Sequence, residues 1–206
     1  MPVPEQLYPV GLVVAGKRCV VVGGGTVAAR KAAGLVEAGA DVVVVAPEIS
    51  VEIRALPVEV AERPYREGDL DLAWLAIAAT NDPEVNRRVH ADGRARRVWV
   101  NAADDPEACA FTLPAVLRQG PVTVAVSTGG HSPALAGWLR DQIAGWLGPE
   151  TAQLAELLSE ARDELQAAGR STEGVDWRRA LDSDMLELIR TGHVAQARER
   201  LQACLS

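Results

Sequence analysis

Several common features are scarce or missing in this chain of 206 residues. Its three cysteines, Cys19, Cys109 and Cys204, are odd in number and form no C-x-x-C pair, so neither a disulfide framework nor a zinc site is expected. Basic residues are outnumbered, with 21 Lys and Arg against 28 Asp and Glu, which gives a net charge of -7. This balance argues against a nucleic-acid-binding surface, but it allows a local cluster that binds a small anion.

Long apolar runs are also missing. The chain has no stretch of about 18 apolar residues, and its first residues lack the basic and apolar regions of a signal peptide. We therefore expect a soluble, cytoplasmic protein that neither spans nor binds a membrane. Its length is sufficient for one or two domains with a sizeable core.

The most informative segment is a glycine turn between an apolar run and a predicted helix. Gly23-x-Gly25-x-x-Ala28 follows the apolar run 19–22, and the helix is predicted from Thr26. This spacing is typical of a dinucleotide-binding βαβ unit, in which Gly23 permits the tight turn and Gly25 lets a pyrophosphate approach the backbone. The helix N-terminus offers N–H groups and a partial positive charge to the phosphates. The predicted cofactor contacts here are Gly23, Gly24, Gly25, Thr26 and Val27.

Strand and helix patterns alternate as far as residue 113. The run 74–79 is apolar throughout, as expected for a central parallel strand covered on both faces. A second helix opens at Asp82-Pro83, with Asp82 as its N-cap. The sequence therefore predicts an α/β fold, a Rossmann-like doubly wound parallel sheet. Its strands are predicted at 18–22, 41–45, 58–61, 74–79 and 98–102, and its first helix at 26–38.

The pattern changes after Pro114. One strand is predicted at 122–126, followed by a loop and by a helix that Ser132-Pro133 begins. Since one strand cannot stand alone, this segment is expected to complete its core against another chain, which favours a dimer. The rest is predicted to be helical, with helices near 154–165, 177–189 and 194–201. The predicted domains are a Rossmann domain at 1–113, a small α+β dimerisation segment at 114–148 and a helical domain at 149–206.

Ligands of a doubly wound sheet lie outside the carboxyl ends of its strands. After the second strand come Pro47 and Glu48, and an acid at this place typically binds the adenine ribose of NAD. No arginine follows directly to meet a 2′-phosphate, so NAD is favoured over NADP, although Glu48 is equally explained as a solvated loop acid. Thr80 closes the next strand, where it can contact the cofactor or cap the helix at Asp82. Asn101, at the end of the last strand, is a further candidate.

Asp104 follows that last strand and is the candidate catalytic residue. An ionised aspartate can accept a proton at neutral pH, but a turn aspartate before Asp105-Pro106 explains the same spacing. Arg30 and Lys31, one helical turn beyond the phosphate site, are candidates for an anionic substrate or belong to a solvated helix face. The loop residues Ser127, Thr128 and Gly129 offer hydroxyls and a flexible backbone to substrate carboxylates, and a plain loop is equally plausible. No group of His, Cys and Asp has metal-site spacing.

Taken together, these segments resemble the dehydrogenase module of sirohaem synthase, that is, the precorrin-2 dehydrogenase and sirohydrochlorin ferrochelatase family. The resemblance covers about the first 148 residues, and the helical tail is similar only in character. It rests on motifs at 8–10, 21–31, 37–40, 45–48, 75–80, 85–89, 101–106, 111–114 and 121–130.

The resemblance implies a homodimer that oxidises precorrin-2 to sirohydrochlorin with NAD in sirohaem biosynthesis. It implies that Asp104 is the catalytic aspartate, that Thr26–Val27 and Pro47–Glu48 contact NAD, and that Ser127–Thr128 lie near the substrate. Ala102-Ala103 stand where bulkier valines are usual, which is expected to loosen the pocket wall.

Some members of the family also insert Fe²⁺ into sirohydrochlorin. Asp104 could strip the pyrrole protons, but no second ligand is evident, so Fe²⁺ as a substrate stays open. The alternatives are an NAD-sensing regulatory module without turnover and an oxidoreductase for another substrate, because a fold alone does not fix the chemistry.

Overall fold

The computed structural model describes residues 7–103 and 109–205. The chain divides into two compact units. The first consists of residues 1–113 with 129–131, and the second consists of residues 114–128 with 132–206.

The first unit is built on five parallel strands in the order β3-β2-β1-β4-β5. Three helices, α1 (Thr26–Glu37), α2 (Val51–Arg54) and α3 (Pro83–Arg96), and a short 3-10 turn at Glu67–Leu70 connect them. The strand order confirms the predicted Rossmann-like sheet, and each strand boundary lies within one residue of its prediction. The strands are β1 (Arg18–Val22), β2 (Asp41–Ala46), β3 (Glu59–Glu62), β4 (Leu75–Ala78) and β5 (Trp99–Ala102).

The central strands bury side chains on both faces of the sheet. Val20 and Val22 of β1 belong to the core shared with α3, whereas Cys19 and Val21 belong to the core shared with α1. Ala28 of α1 is fully buried there, and its small side chain lets the helix lie close to the strands. Burial raises the pKa of the Cys19 thiol to about 11, so this cysteine is an unreactive core residue.

The second unit begins with an antiparallel hairpin and continues in helices. The C-terminal helices enclose their own core, which includes Leu154, Leu157, Met185 and Leu201. None of the helices in residues 7–103 and 109–205 is long and apolar enough to cross a membrane. The elements are β6 (Ala115–Gln119), β7 (Val122–Val126), α4 (Pro133–Trp146), α5 (Glu150–Ala167), α6 (Trp177–Leu181), α7 (Met185–Arg190) and α8 (Val194–Leu205).

The prediction of a single strand after Pro114 was wrong. β6 pairs with β7 along its whole length, so the strand at 122–126 has a partner within the chain. β6 escaped notice because its apolar part is only three residues long and ends at Arg118 and Gln119. The inference of a dimer from a strand without a partner is therefore not valid. Where one helix was predicted at 177–189, the structure has two, α6 and α7.

Candidate functional site

The candidate site lies at the carboxyl edge of the parallel sheet. Four strand ends, those of β1, β2, β4 and β5, lie side by side there, and the loops that follow them leave from the same edge. Backbone hydrogen bonds join the residues just beyond the strands to the neighbouring strand, which fixes where each loop begins. These bonds are Gly23 N–H to Val45 O at 2.9 Å, Ala79 N–H to Val22 O at 2.7 Å, and Ala103 N–H to Ala78 O at 2.8 Å.

The first two glycines of the turn after β1 are required by close approach of the backbone. Gly23 has a φ of +132°, and a Cβ on it would collide with the carbonyl oxygen of Ala79. A Cβ on Gly24 would collide with the carbonyl oxygen of Glu48, while the Gly24 carbonyl accepts a 2.9 Å hydrogen bond from Ser50 N–H. The turn is therefore enclosed by the two neighbouring loops.

Gly25 has the opposite surroundings. It is exposed, and a Cβ built on it would meet no atom within 4 Å. Gly25 is the N-cap of α1, the helix begins without a side-chain cap, and its first turn contains no acidic residue. Thr26 and Val27 are exposed beside it, and the first N–H groups of an α-helix have no acceptor within the helix. This open cradle at a helix N-terminus fits the pyrophosphate of a dinucleotide.

The loop after β2 carries Pro47 and Glu48, which are both exposed. The backbone of Glu48 lies against Gly24, so the two predicted cofactor segments are brought together. The next arginine along the chain, Arg54, forms an ion pair with Glu62 at 2.8 Å. Glu48 thus follows the second strand of the sheet, where an acid can reach a ribose of a bound dinucleotide.

Thr80, at the end of β4, is held in a local hydrogen-bond network. Its hydroxyl donates to Asn86 Oδ1 at 2.8 Å, and Asn86 Nδ2 donates back to the Thr80 carbonyl at 3.0 Å. The Thr80 hydroxyl also accepts from Asp82 N–H at 3.1 Å, and Asp82 itself caps α3 by accepting from Glu84 N–H at 2.8 Å. The side chain therefore stabilises the turn before α3, and its contact with a cofactor stays a prediction.

Asn86 is a residue that the sequence analysis missed. It is buried on α3 in a row with Val89 and Gly93, which face the sheet. The sequence did contain a signal for it. An asparagine three residues before a core valine lies on the apolar face of the helix and needs a buried hydrogen-bond partner.

Asn101, near the end of β5, is buried and turned toward the chain that returns to this strand. Its Nδ2 donates to the Phe111 carbonyl at 2.8 Å and to Cys109 Sγ at 3.4 Å. Ala102 and Ala103 continue from it to the end of the described segment. Asp104, the predicted catalytic residue, lies outside the described residues.

The predicted substrate-binding residues belong to different parts of the chain. Arg30 is exposed on α1, and Lys31 beside it is half-buried. In the loop before α4, the Thr128 hydroxyl donates to the Ser132 carbonyl and accepts from Ser132 N–H, both at 3.0 Å. Ser127 is exposed, and Gly129 has a φ of +60°. Their roles stay predictions, and across 7–103 and 109–205 no three His, Cys, Asp or Glu side chains are grouped to hold a metal ion.

Two family models match the chain. The model described as NAD(P)-binding matches residues 10–115, which is just over half of the chain. The model described as sirohaem biosynthesis protein central matches residues 119–145. The first match contains the glycine turn and the loops at the carboxyl edge, and the second contains β7 and all of α4 except its last residue, Trp146.

The most similar relatives include "Siroheme synthase" of Thioalkalivibrio sulfidiphilus, 38% identical over 206 residues, which cover 97% of this chain and 42% of that protein. "Siroheme synthase" of Pseudomonas entomophila is 38% identical over 195 residues, which cover 91% of this chain and 42% of that protein. The chain therefore spans about two fifths of the length of these curated relatives.

Among solved structures, "SirC, precorrin-2 dehydrogenase" matches with a TM-score of 0.69 and 28% identity, covering 96% of this chain and 98% of that chain. Together with the relatives, this likeness confirms the resemblance predicted from the motifs. The chain belongs to the NAD(P)-binding family, as a relative of the siroheme synthases and of precorrin-2 dehydrogenase.

Proposed function

We propose that this chain is a dehydrogenase that oxidises precorrin-2 to sirohydrochlorin with NAD in sirohaem biosynthesis. The observation that carries the proposal is the open cradle at Gly25, at the carboxyl edge of a parallel sheet. The protein whose structure it resembles along nearly the whole of both chains is named for precorrin-2 dehydrogenation. A fold alone does not fix the reaction, but the cradle at Gly25 adds a binding site for the nicotinamide cofactor, which is the oxidant of this reaction.

The backbone from Gly23 to Val27 would hold the pyrophosphate, because this turn presents N–H groups and the positive end of the α1 dipole. When bound, the nicotinamide ring would act as the hydride acceptor. Exposed Glu48 would accept a hydrogen bond from the 2′-hydroxyl of the adenine ribose, which favours NAD over NADP. Arg54 is already paired with Glu62, which also supports this preference.

Oxidation of precorrin-2 removes one hydride and one proton from the ring. The bound nicotinamide would take the hydride, and we assign the proton to the Asp104 carboxylate, which follows β5 in the sequence. The macrocycle carries several carboxylates, and Arg30, Lys31, Ser127, Thr128 and Gly129 are assigned to bind them. Arg30 is the most exposed cation next to the pyrophosphate site on α1.

A homodimer formed through the second unit is part of the proposal. On α4, Leu135, Trp138 and Trp146 lie on one face of the helix and are 47%, 57% and 80% exposed. In β6 and β7, the hairpin that precedes α4 in the chain, no residue is fully buried. An exposed apolar face of this kind is typical of a protein–protein interface, and two copies would cover it mutually.

A cytoplasmic location is also proposed. Cys19, Cys109 and Cys204 form no disulfide with one another in the described segments, and reduced cysteines are usual in a reducing compartment.

The test is spectroscopic. Purified protein is incubated with precorrin-2 and NAD without metal, and the absorbance of sirohydrochlorin and of NADH is followed. Equal amounts of both products are expected, and the Asp104→Ala variant should remain folded with a greatly reduced rate. No turnover by folded wild-type protein that binds NADH would instead favour the NAD-sensing module. Insertion of Fe²⁺ stays a prediction, for which the assay is repeated with sirohydrochlorin and Fe²⁺.

A further inference from the structure

The segment that joins the end of β2 to the end of β3 is strongly acidic. Residues 47–62 contain four acidic residues and a single basic one, Arg54. The acidic residues are Glu48, Glu52, Glu59 and Glu62. The segment follows the strand whose end is proposed to meet the adenine ribose, and it includes α2, which ends at Arg54. Arg54 is therefore the one residue of this segment that could attract the 2′-phosphate of NADP.

Glu62 is the last residue of β3 and lies beside the end of β2. In the parallel pairing of these strands Glu62 is the neighbour of Ala46, and Glu48 follows Ala46 by two residues. Neighbouring strands lie about 4.8 Å apart, and parallel strands end at a common edge. This register places Glu62 next to the loop that carries Glu48.

The Glu62 carboxylate binds the guanidinium of Arg54. Arg54 Nη2 donates to both carboxylate oxygens, at 2.8 and 2.9 Å. The two side chains are 52% and 49% exposed, and an ion pair of this exposure contributes little to the stability of a fold. The pair nevertheless offsets the positive charge of Arg54 and holds its guanidinium at the end of β3.

A 2′-phosphate would compete with Glu62 for this guanidinium. Arginine binds carboxylates and phosphates through the same fork of N–H donors, so an Nη2 group that is bound to Glu62 is not available to a phosphate. The 2′-hydroxyl of NAD needs no cation, because Glu48 would accept its hydrogen bond. The Arg54–Glu62 pair therefore disfavours NADP without affecting NAD.

We propose that Glu62 is a specificity-determining residue, which disfavours NADP by holding Arg54 away from the adenine ribose. Glu48 favours the 2′-hydroxyl, and Glu62 withholds the cation that a 2′-phosphate would need. This inference rests on the proposed function, because it takes the adenine ribose to lie at Glu48. It concerns cofactor binding alone, so it does not depend on which substrate the enzyme oxidises.

The experiment is a pair of fluorescence titrations of the full chain, with NADPH and with NADH, at 0.15 M salt. Glu62→Gln removes the charge and keeps the size of the side chain. We expect the Kd for NADPH to fall by about two- to fivefold, which is the range of an exposed ion pair, and the Kd for NADH to stay within about 1.5-fold. Glu59→Gln is the matched control, because it removes the same charge from an exposed position at the other end of β3. It should change neither Kd.

A double-mutant comparison tests whether Glu62 acts through Arg54. In the Arg54→Ala background, Glu62→Gln should leave the Kd for NADPH within about 1.5-fold, because no guanidinium remains to be released. Simple repulsion between Glu62 and the phosphate predicts instead that the Kd falls equally with and without Arg54. That equal fall would overturn the proposal, and so would an unchanged Kd for NADPH in Glu62→Gln.

These titrations also distinguish this proposal from the proposed function. A wild-type protein that binds NADH but does not oxidise precorrin-2 contradicts the proposed function alone. Wild-type protein that prefers NADH, together with a Glu62→Gln variant of unchanged preference, contradicts only the role of Glu62. A wild-type protein that binds NADPH as tightly as NADH overturns the role of Glu62 whatever the activity, and one that binds neither overturns both.

Discussion

Gly25→Ala should separate cofactor binding from folding. The backbone at Gly25 has a φ of -91°, which alanine adopts readily, and the new Cβ would meet no atom within 4 Å. A less flexible unfolded chain favours the variant by up to about 1 kcal/mol, but alanine is a poorer N-cap than glycine, so we expect little net change in the free energy of unfolding.

The bound state should be affected strongly. The added methyl group would stand in the open space before the first turn of α1, where the pyrophosphate is proposed to approach the N–H groups. Loss of one hydrogen bond to a charged group costs about 1.5–3 kcal/mol. The Kd for NADH should consequently rise by about 10- to 150-fold.

The assay is a fluorescence titration with NADH, accompanied by thermal unfolding without ligand. Gly34→Ala is the matched control, because a Cβ on this α1 residue also meets nothing within 4 Å but lies two turns beyond the cradle. It should stabilise the helix by about 0.5–1 kcal/mol and leave the Kd unchanged. A folded Gly25→Ala variant with wild-type affinity would refute the assignment of the cradle.

Three more outcomes are expected. Glu48→Arg should shift the ratio of kcat/KM for NADP over NAD upward by about tenfold or more, and an unchanged ratio would remove Glu48 from the ribose site. Replacing Trp138 and Trp146 together by serine should convert dimer to monomer in light scattering with the circular dichroism spectrum retained, whereas a wild-type monomer would contradict the interface. Asp69 is buried, which opposes its ionisation, yet its ion pair with Arg63 at 2.6 Å and further hydrogen bonds hold its pKa below the usual value. The ionised Asp69 carboxylate therefore stabilises the fold above about pH 4, and this stabilisation is lost as the pH falls through the folded pKa. In Asp69→Asn the free energy of unfolding should consequently fall less steeply with decreasing pH than in the wild type. An equally steep loss in the variant would contradict that assignment.

The parallel sheet was predictable because its signals are local. The buried valine runs and the spacing Gly23-x-Gly25-x-x-Ala28 specify strand, turn and helix within a few residues of each other, and each boundary could be placed from them. β6 was not predictable in this way, because a strand with Arg118 and Gln119 at its end becomes visible only when its partner β7 is known.

The site itself was only partly predictable. The glycine turn and the loop of Glu48 were expected to meet because parallel strands end at a common edge. The partners of Thr80 and Asn101 were not, since Asn86 and Phe111 are six and ten residues away and are brought near by the fold. A polar residue at a strand end can bind a ligand or form hydrogen bonds within the protein, and its spacing in the sequence is the same in both cases.

The confinement of Gly24 against the loop after β2 also bears on how quickly a dinucleotide can be captured. The turn is held by the Ser50 N–H and lies against the Glu48 carbonyl, both of this loop, so the proposed receptor for the phosphates already has its final shape. Little conformational entropy remains to be lost there on association. We expect the capture rate to depend on diffusion and ionic strength rather than on a slow rearrangement of this loop.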